Sequence, residues 1–207
     1  MELNDIRTIL TSGIIIVAVV LYLVFNNMMN KESADTTTYS NQTIITTDYA
    51  ENVTGNQLIE AEYVSTNDGD TFRIKVEGKE ERVRLLMIDT PEMNYEENNP
   101  MPFAEDAKEY TMNMLENASK IEILFDKGRE TDHYGRLLVY VFVDGYLLQE
   151  ALLKEGYAAV RYINEPNNSL EEQFREIESS ARLNQLNIWH HENYLQKDGF
   201  HPEVITP

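Results

Sequence analysis

Cysteine is absent from the 207 residues. That excludes disulfides, thiolate metal sites, a cysteine nucleophile and a lipid-modified N-terminal cysteine. Basic charge is scarce: 17 Lys and Arg stand against 36 Asp and Glu, a formal net charge of −19. So acidic a chain argues against a nucleic-acid partner held by a broad basic surface, and any such partner has to be met locally. There is no internal repeat. The length suits one ordinary domain with extras, and that domain can bury a real core.

Long apolar runs are confined to one place. From Thr8 to Asn30 no residue is charged, and Gly13 to Phe25 is almost wholly apolar. A helix rising about 1.5 Å per residue over such a span crosses a hydrocarbon core of about 30 Å. A cleaved secretory signal is the competing reading. Its cationic start is reduced to Arg7 beside Glu2 and Asp5, and no small-x-small cleavage site follows Phe25. The expectation is an uncleaved N-terminal anchor over residues 1–30, with a transmembrane helix at about 8–27. Residues 31–57, rich in Thr, Ser and Asn, read as a polar linker. Residues 58–190 are expected to form the functional domain, and 191–207 a polar, mobile tail.

Within 58–190 the pattern is one of short strands. Leu58 to Val64, Thr71 to Val76 and Arg82 to Ile88 form a meander through turns at Asn67-Asp68-Gly69 and Glu77-Gly78-Lys79. Ala104, Ala107, Thr111, Met114, Leu115 and Ala118 recur at helical spacing. Ile121 to Phe125 and Arg136 to Val143 add two strands, the second apolar on both faces and therefore central. A short helix around Leu148, Ala151 and Leu152 ends at Gly156 as a left-handed cap. A third helix begins near Ser169, with Glu172 completing a capping box, and Trp189, the only tryptophan, closes the core. The expected fold is α+β: a five-stranded OB-fold barrel with three helices, since closure removes the edges of short strands.

Three segments carry chemistry. Asp68-Gly69-Asp70-Thr71 places Asp70 at a strand start after a tight turn. Arg84-Leu85-Leu86-Met87-Ile88-Asp89-Thr90-Pro91-Glu92 sets a cation in an apolar strand, on the face of Leu86 and Ile88, where it is costly unless an anion meets it. Pro91 then stops the strand, with Asp89 and Glu92 at its rim. Two carboxylates and a free carbonyl there suit a hard cation such as calcium. The third segment is the charged loop Asp126 to Arg136. Taken singly these are a turn, a strand end and a solvated loop. Together they supply three carboxylates and two arginines at strand edges, the set that metal-assisted phosphodiester hydrolysis needs. No second histidine accompanies His133, which argues against a histidine metal site.

In that order, Asp-Gly-Asp-Thr, Arg-Leu-Leu-x-x-Asp-Thr-Pro-Glu and Asp-Lys-Gly-x-x-x-Asp-x-Tyr-Gly-Arg resemble the staphylococcal nuclease (thermonuclease) family. The resemblance runs from about Leu58 to Trp189 and includes Glu165-Pro166-Asn167-Asn168 and Leu186-Asn187-Ile188-Trp189. It implies a calcium-dependent nuclease that cuts DNA and RNA to products with 3′-phosphates. Carried over, Asp70 and Asp89 bind calcium by carboxylates and Thr90 by its carbonyl. Glu92 orients or deprotonates the attacking water. Arg84 and Arg136 clamp the scissile phosphate. Tyr134 and Tyr162 match positions near the bound nucleotide, although each is equally readable as a core or rim aromatic. The chain departs from the family at His133, where a phosphate-contacting lysine is usual, and at Asn164, where a second tyrosine is common. The loop Met93 to Pro100 is acidic where relatives tend to be basic, which implies weak, fast-exchanging DNA binding.

The leading expectation is a membrane-tethered nuclease, single-pass, with its catalytic domain outside the cell, or secreted if the anchor is cut. It is expected to be a monomer with no protein partner. A catalytically silent nuclease-like module is the second reading, disfavoured because all five of Asp70, Arg84, Asp89, Glu92 and Arg136 are present. An acidic calcium-binding adhesion protein is the third, and it has no need of the two arginines.

Overall fold

A hairpin starts the barrel. The computed structural model describes residues 45–96 and 98–205, and in it Glu77 and Gly78 both take positive φ, of 50° and 79°. Such a turn matches the right-handed twist of the strands it joins. Those strands are β2 (Thr71–Val76) and β3 (Lys79–Leu85), preceded by β1 (Ile59–Asp68) and followed by β4 (Ile88–Asp89). Helix α2 (Ala104–Glu116) leads to β5 (Ile121–Phe125), β6 (Leu137–Val143) and β7 (Tyr146–Leu147). Helix α3 (Leu148–Glu155), β8 (Ala159–Val160) and helix α4 (Glu171–Leu183) complete the body. Before β1 stands helix α1 (Thr47–Thr54).

The sheet runs β3-β2-β1-β5-β6-β7, and β3 also pairs with β6. All neighbours along the sheet are antiparallel, but the closing pair is parallel, with Val83, Arg84 and Leu85 opposite Leu137, Leu138 and Val139. Five strands thus close a barrel and β7 is appended to its side. β1 breaks register twice, between Tyr63 and Ser65 and between Thr66 and Asp68. Such irregularities bend a strand around a small barrel. Inside lie Phe72, Ile74, Val83, Ile123, Val139 and Val141, all inaccessible to solvent, while Tyr140 and Phe142, on the other face of β6, are buried in the same apolar core with Leu148 and Leu152 of α3 and Phe174 of α4. The expected central position of β6 holds: Val139 to Val143 are buried without a break.

Several expectations are corrected here. The strand expected from Arg82 to Ile88 is interrupted at Leu86 and Met87, where Met87 takes a φ of +59°. Beyond the break β4 leaves the barrel and pairs with β8, Ile88 opposite Val160 and Asp89 opposite Ala159. The capping box at Ser169 and Glu172 does not form, because the Ser169 hydroxyl and N–H both bond the buried Asp126 carboxylate, at 2.6 and 2.9 Å. Helix α4 starts one residue later than such a box requires, with Leu170 as its uncapped N-cap. The cap at Gly156 is as expected, with φ +71°.

Residues 45–57, read as the end of the linker, belong to the folded body. Ile45 is completely buried, its N–H donates to Glu150 Oε2 at 2.9 Å, and Thr46 caps α1 by accepting from the Tyr49 N–H. The expected mobile tail is also folded as far as residue 205. Tyr194 is completely buried, its hydroxyl donates to the Pro102 carbonyl at 2.6 Å, and Leu195 bridges Phe200. These side chains form a second small apolar cluster with Ile188, Trp189 and Phe103, so Trp189 packs there and not in the barrel. The expected transmembrane helix and residues 31–44 lie outside the described residues. Among the described residues no helix is long and apolar enough to cross a membrane.

Candidate active site

The break at Leu86 and Met87 builds the site. In an unbroken strand, residues 84 and 89 are an odd number apart and face opposite sides. The left-handed turn at Met87 swings Asp89 back, and Arg84 Nη2 donates to Asp89 Oδ1 at 3.0 Å. Arg84 Nη1 pairs with Asp70 Oδ2. The cation that the apolar strand could not hold alone is therefore met by two buried carboxylates, as its cost requires.

Asp70 is fixed from both sides. Its Oδ2 accepts from the Thr90 N–H and its Oδ1 from the Thr71 hydroxyl, each at 3.0 Å. Gly69 is needed here for space and not for a special φ. A Cβ on it would lie 2.9 Å from both Ala107 Cβ and Thr90 Cγ2. That close approach presses the Asp68 to Asp70 turn against both α2 and the Thr90 side chain. The Thr111 hydroxyl on α2 donates to the Gly69 carbonyl at 2.6 Å and locks it.

Glu92 follows at the cleft edge, solvent-accessible yet surrounded by like charge. Packed protein around its carboxyl, then Asp70, Asp68 and Asp89, hold its pKa up at about 7. Burial, then Asp70, also lift Asp89 to about 6, against the opposing pull of Arg84 and Arg161. The acidic loop after Glu92 is pinned at both ends, by the Met93 N–H on Asp68 and the Met101 N–H on the Glu92 carbonyl.

The opposite wall is the Asp126 to Arg136 loop. Asp126 plays no part in the cleft. It accepts from the Tyr140 hydroxyl at 2.6 Å and from Ser169, and so anchors the loop. Asn167 spans it, accepting from the Gly128 N–H and donating to the Arg129 carbonyl. Asp132 then turns the chain back, taking the Arg136 N–H and Nε at 2.9 and 2.7 Å. Tyr134 and Tyr162 are well exposed, at 63% and 59%. The Arg136 guanidinium lies 5.5 Å from the Tyr134 ring centre and that of Arg84 5.4 Å from Tyr162. The His133 ring lies 3.8 Å from that of Tyr134, centre to centre, tilted at 42°.

One open cleft of about 620 Å³ is lined by Asp70, Arg84, Asp89, Glu92, His133, Tyr134, Arg136 and Tyr162. Thr90, the ninth residue singled out from sequence, is buried directly behind it. The two tyrosines are thus rim residues and not core. Among the described residues no three His, Cys, Asp or Glu side chains form a complete metal cage. What the cleft offers is the carboxylates of Asp70, Asp89 and Glu92, all oxygen donors. That donor set, with carboxylates crowded enough to raise Asp89 and Glu92, fits a hard divalent cation that keeps some of its water.

Sequence reasoning missed Arg161. Its Nε lies 3.4 Å from Asp89 Oδ2. The only sequence signal was a cation between the apolar Ala159-Val160 and Tyr162, and nothing in that pattern says which anion it meets. The pairing exists only because β8 runs beside β4.

Five strands closing a barrel, with a carboxylate and guanidinium cleft on one side, define an OB-type fold. The chain belongs to the staphylococcal nuclease family: the family model "Staphylococcal nuclease homologue" matches residues 82–191. It is 44% identical over 133 residues to endonuclease YncB of Bacillus subtilis, covering 64% of this chain and 63% of that protein. It is 40% identical over 144 residues to the prophage-derived endonuclease YokF of the same organism, 70% of this chain and 48% of the relative. Thermonuclease of Staphylococcus hyicus is 34% identical over 123 residues, 59% of this chain and 70% of that one. The chain therefore spans between about half and two thirds of the two Bacillus relatives.

Proposed function

We propose that this protein hydrolyses phosphodiester bonds of DNA and RNA in a calcium-dependent reaction that leaves 3′-phosphate ends. The observation that carries the reading is the convergence of Asp70, Asp89 and Glu92 with Arg84 and Arg136 in one cleft. Endonuclease and thermonuclease relatives support it. Asp70 and Asp89, with the Thr90 carbonyl, are the residues that would hold a calcium ion, whose chemistry there is to neutralise charge on the scissile phosphate.

The chain's own groups account for the rest. Glu92, with a pKa near neutral in the metal-free protein, is suited to take a proton from an attacking water. Arg84 and Arg136 supply planar, permanently charged donors to the phosphoryl oxygens. Asp132 bonds the backbone N–H and Nε of Arg136, which leaves the terminal nitrogens of this cleft-lining residue to meet a phosphate. Tyr134 and Tyr162, exposed at the rim, can flank a nucleobase. The −19 charge of the chain is answered locally, by the cation and the two guanidiniums.

The apolar run 8–27 supports a further part of the proposal, that the domain is tethered to the cell membrane and faces outward. Protease treatment of intact cells would release the domain, and a domain that stayed protected would end this part. For the chemistry, full-length protein in mild detergent is incubated with single-stranded DNA in calcium, magnesium or chelator. Cleavage in calcium alone, with 3′-phosphate ends, is expected. Glu92→Gln and Arg136→Ala should each lose about a hundred- to a thousand-fold in kcat. A folded protein that binds calcium and cuts nothing would leave a silent binding module in its place.

A further inference from the structure

Asp89 is gripped on both of its oxygens. Arg84 donates to Oδ1, but Arg84 is shared with Asp70 and, on the reading above, turns to substrate phosphate. Arg161 stands against Oδ2, and among the described residues Asp89 is the one carboxylate within ion-pair distance of it. The Arg161 backbone is tied to the same place, its N–H donating to the Met87 carbonyl at 2.9 Å, within the left-handed turn that aims Asp89. Its guanidinium packs 5.4 Å from the Tyr162 ring centre, and Nη1 donates to the Gln196 carbonyl at 3.3 Å. Gln196 sits in the folded C-terminal segment, where its N–H bonds the Gly199 carbonyl and the neighbouring Tyr194 is anchored under Pro102. Arg161 does not line the cleft.

We propose that Arg161 is a positioning residue for Asp89: held by the C-terminal segment, it fixes the orientation of a carboxylate that would hold the cation. This rests on the calcium-nuclease reading. Arg84 bonds Oδ1, whereas the Arg161 guanidinium stands at ion-pair distance from the other oxygen. Groups that orient a ligating carboxylate from behind matter for affinity because a free carboxylate rotates away from its productive angle.

Simple charge counting gives the opposite sign. If Arg161 were only a nearby positive charge, removing it would tighten calcium binding. Calcium binding to full-length protein in detergent is measured by titration calorimetry for the wild type, Arg161→Ala and Arg161→Lys, beside kcat and KM on single-stranded DNA. Positioning predicts that Arg161→Ala weakens calcium about tenfold and lowers kcat, with KM for DNA nearly unchanged, and that Arg161→Lys recovers part of the calcium affinity. Calcium binding by Arg161→Ala equal to or tighter than wild type overturns the proposal. Should the alanine variant fail to fold, the lysine variant carries the same comparison, since it keeps the charge and loses the planar fork. Wild-type protein that takes up no calcium would instead remove the nuclease reading and this inference with it, a result visible before any variant is made.

Discussion

Glu92 carries a pKa lifted to about 7 because protein packs around it and Asp70, Asp68 and Asp89 surround it, with Arg84 as the opposing charge. A carboxyl raised in the folded state binds protons more tightly there than in the unfolded chain. Its contribution to stability is therefore favourable at low pH and is lost as pH rises from about 4.5 through about 7. In chelator, Glu92→Gln should match the wild type in urea unfolding at pH 5 and exceed it at pH 8. Water reaches this residue, so the gap should be only about 1 kcal/mol. A gap that stayed flat with pH would show that the crowding is relieved in solution. Arg84→Lys is expected to lose nearly as much activity as Arg84→Ala, because a single ammonium cannot span Asp70, Asp89 and a phosphate as the guanidinium fork does. Steady-state kinetics on single-stranded DNA would measure it. Asp70, Asp89 and Glu92 were legible in the sequence because short motifs place them beside turns and a proline. Arg161 was not, since its partner is 72 positions away and meets it only through the β4 and β8 pair.

At the level of elements, strands and helices with a clear period were readable and their interruptions were not. A positive φ at Met87 leaves no mark in an apolar run, so the strand looked continuous and the mechanism that aims Asp89 was hidden. Helix α1 was hidden for another reason: it buries only the small Ala50 and Thr54, with Ile45 just ahead of it, and a Thr-rich stretch so patterned gives no clear apolar periodicity. Its cost of removal is predictable. A chain starting at Leu58 exposes the Ile45 site and withdraws the Ile45 N–H from Glu150 and the Asn56 amide from the Phe125 and Asp126 carbonyls. Burial of one such side chain is worth about 2 kcal/mol, so the melting temperature should fall by roughly 5 °C or more relative to the chain with α1 intact. Calorimetry of the two proteins decides it, and equal midpoints would mean that α1 is only loosely attached.

For the whole molecule, charge sets an expectation that the fold then localises. A chain of −19 with two arginines in its cleft neutralises few phosphates. The salt dependence of single-stranded DNA binding should be shallow, a log–log slope of about −1.5, since each neutralised phosphate contributes about −0.7. A slope beyond about −4, measured by fluorescence anisotropy, would require a basic track elsewhere on the surface. The barrel class itself was legible from five short strands and their turns, because closure is the economical way to dispose of edges.

Closure also decides when the cleft comes into being. The parallel seam joins residues 83–85 to residues 137–139, far apart in the chain, and Arg84 lies in that seam while Arg136 lies at its lip. Contacts so distant in sequence are among the last to be made during folding. The two guanidiniums are therefore brought into one cleft only once the circle is shut, and on the proposed reading a partly folded chain has no complete site.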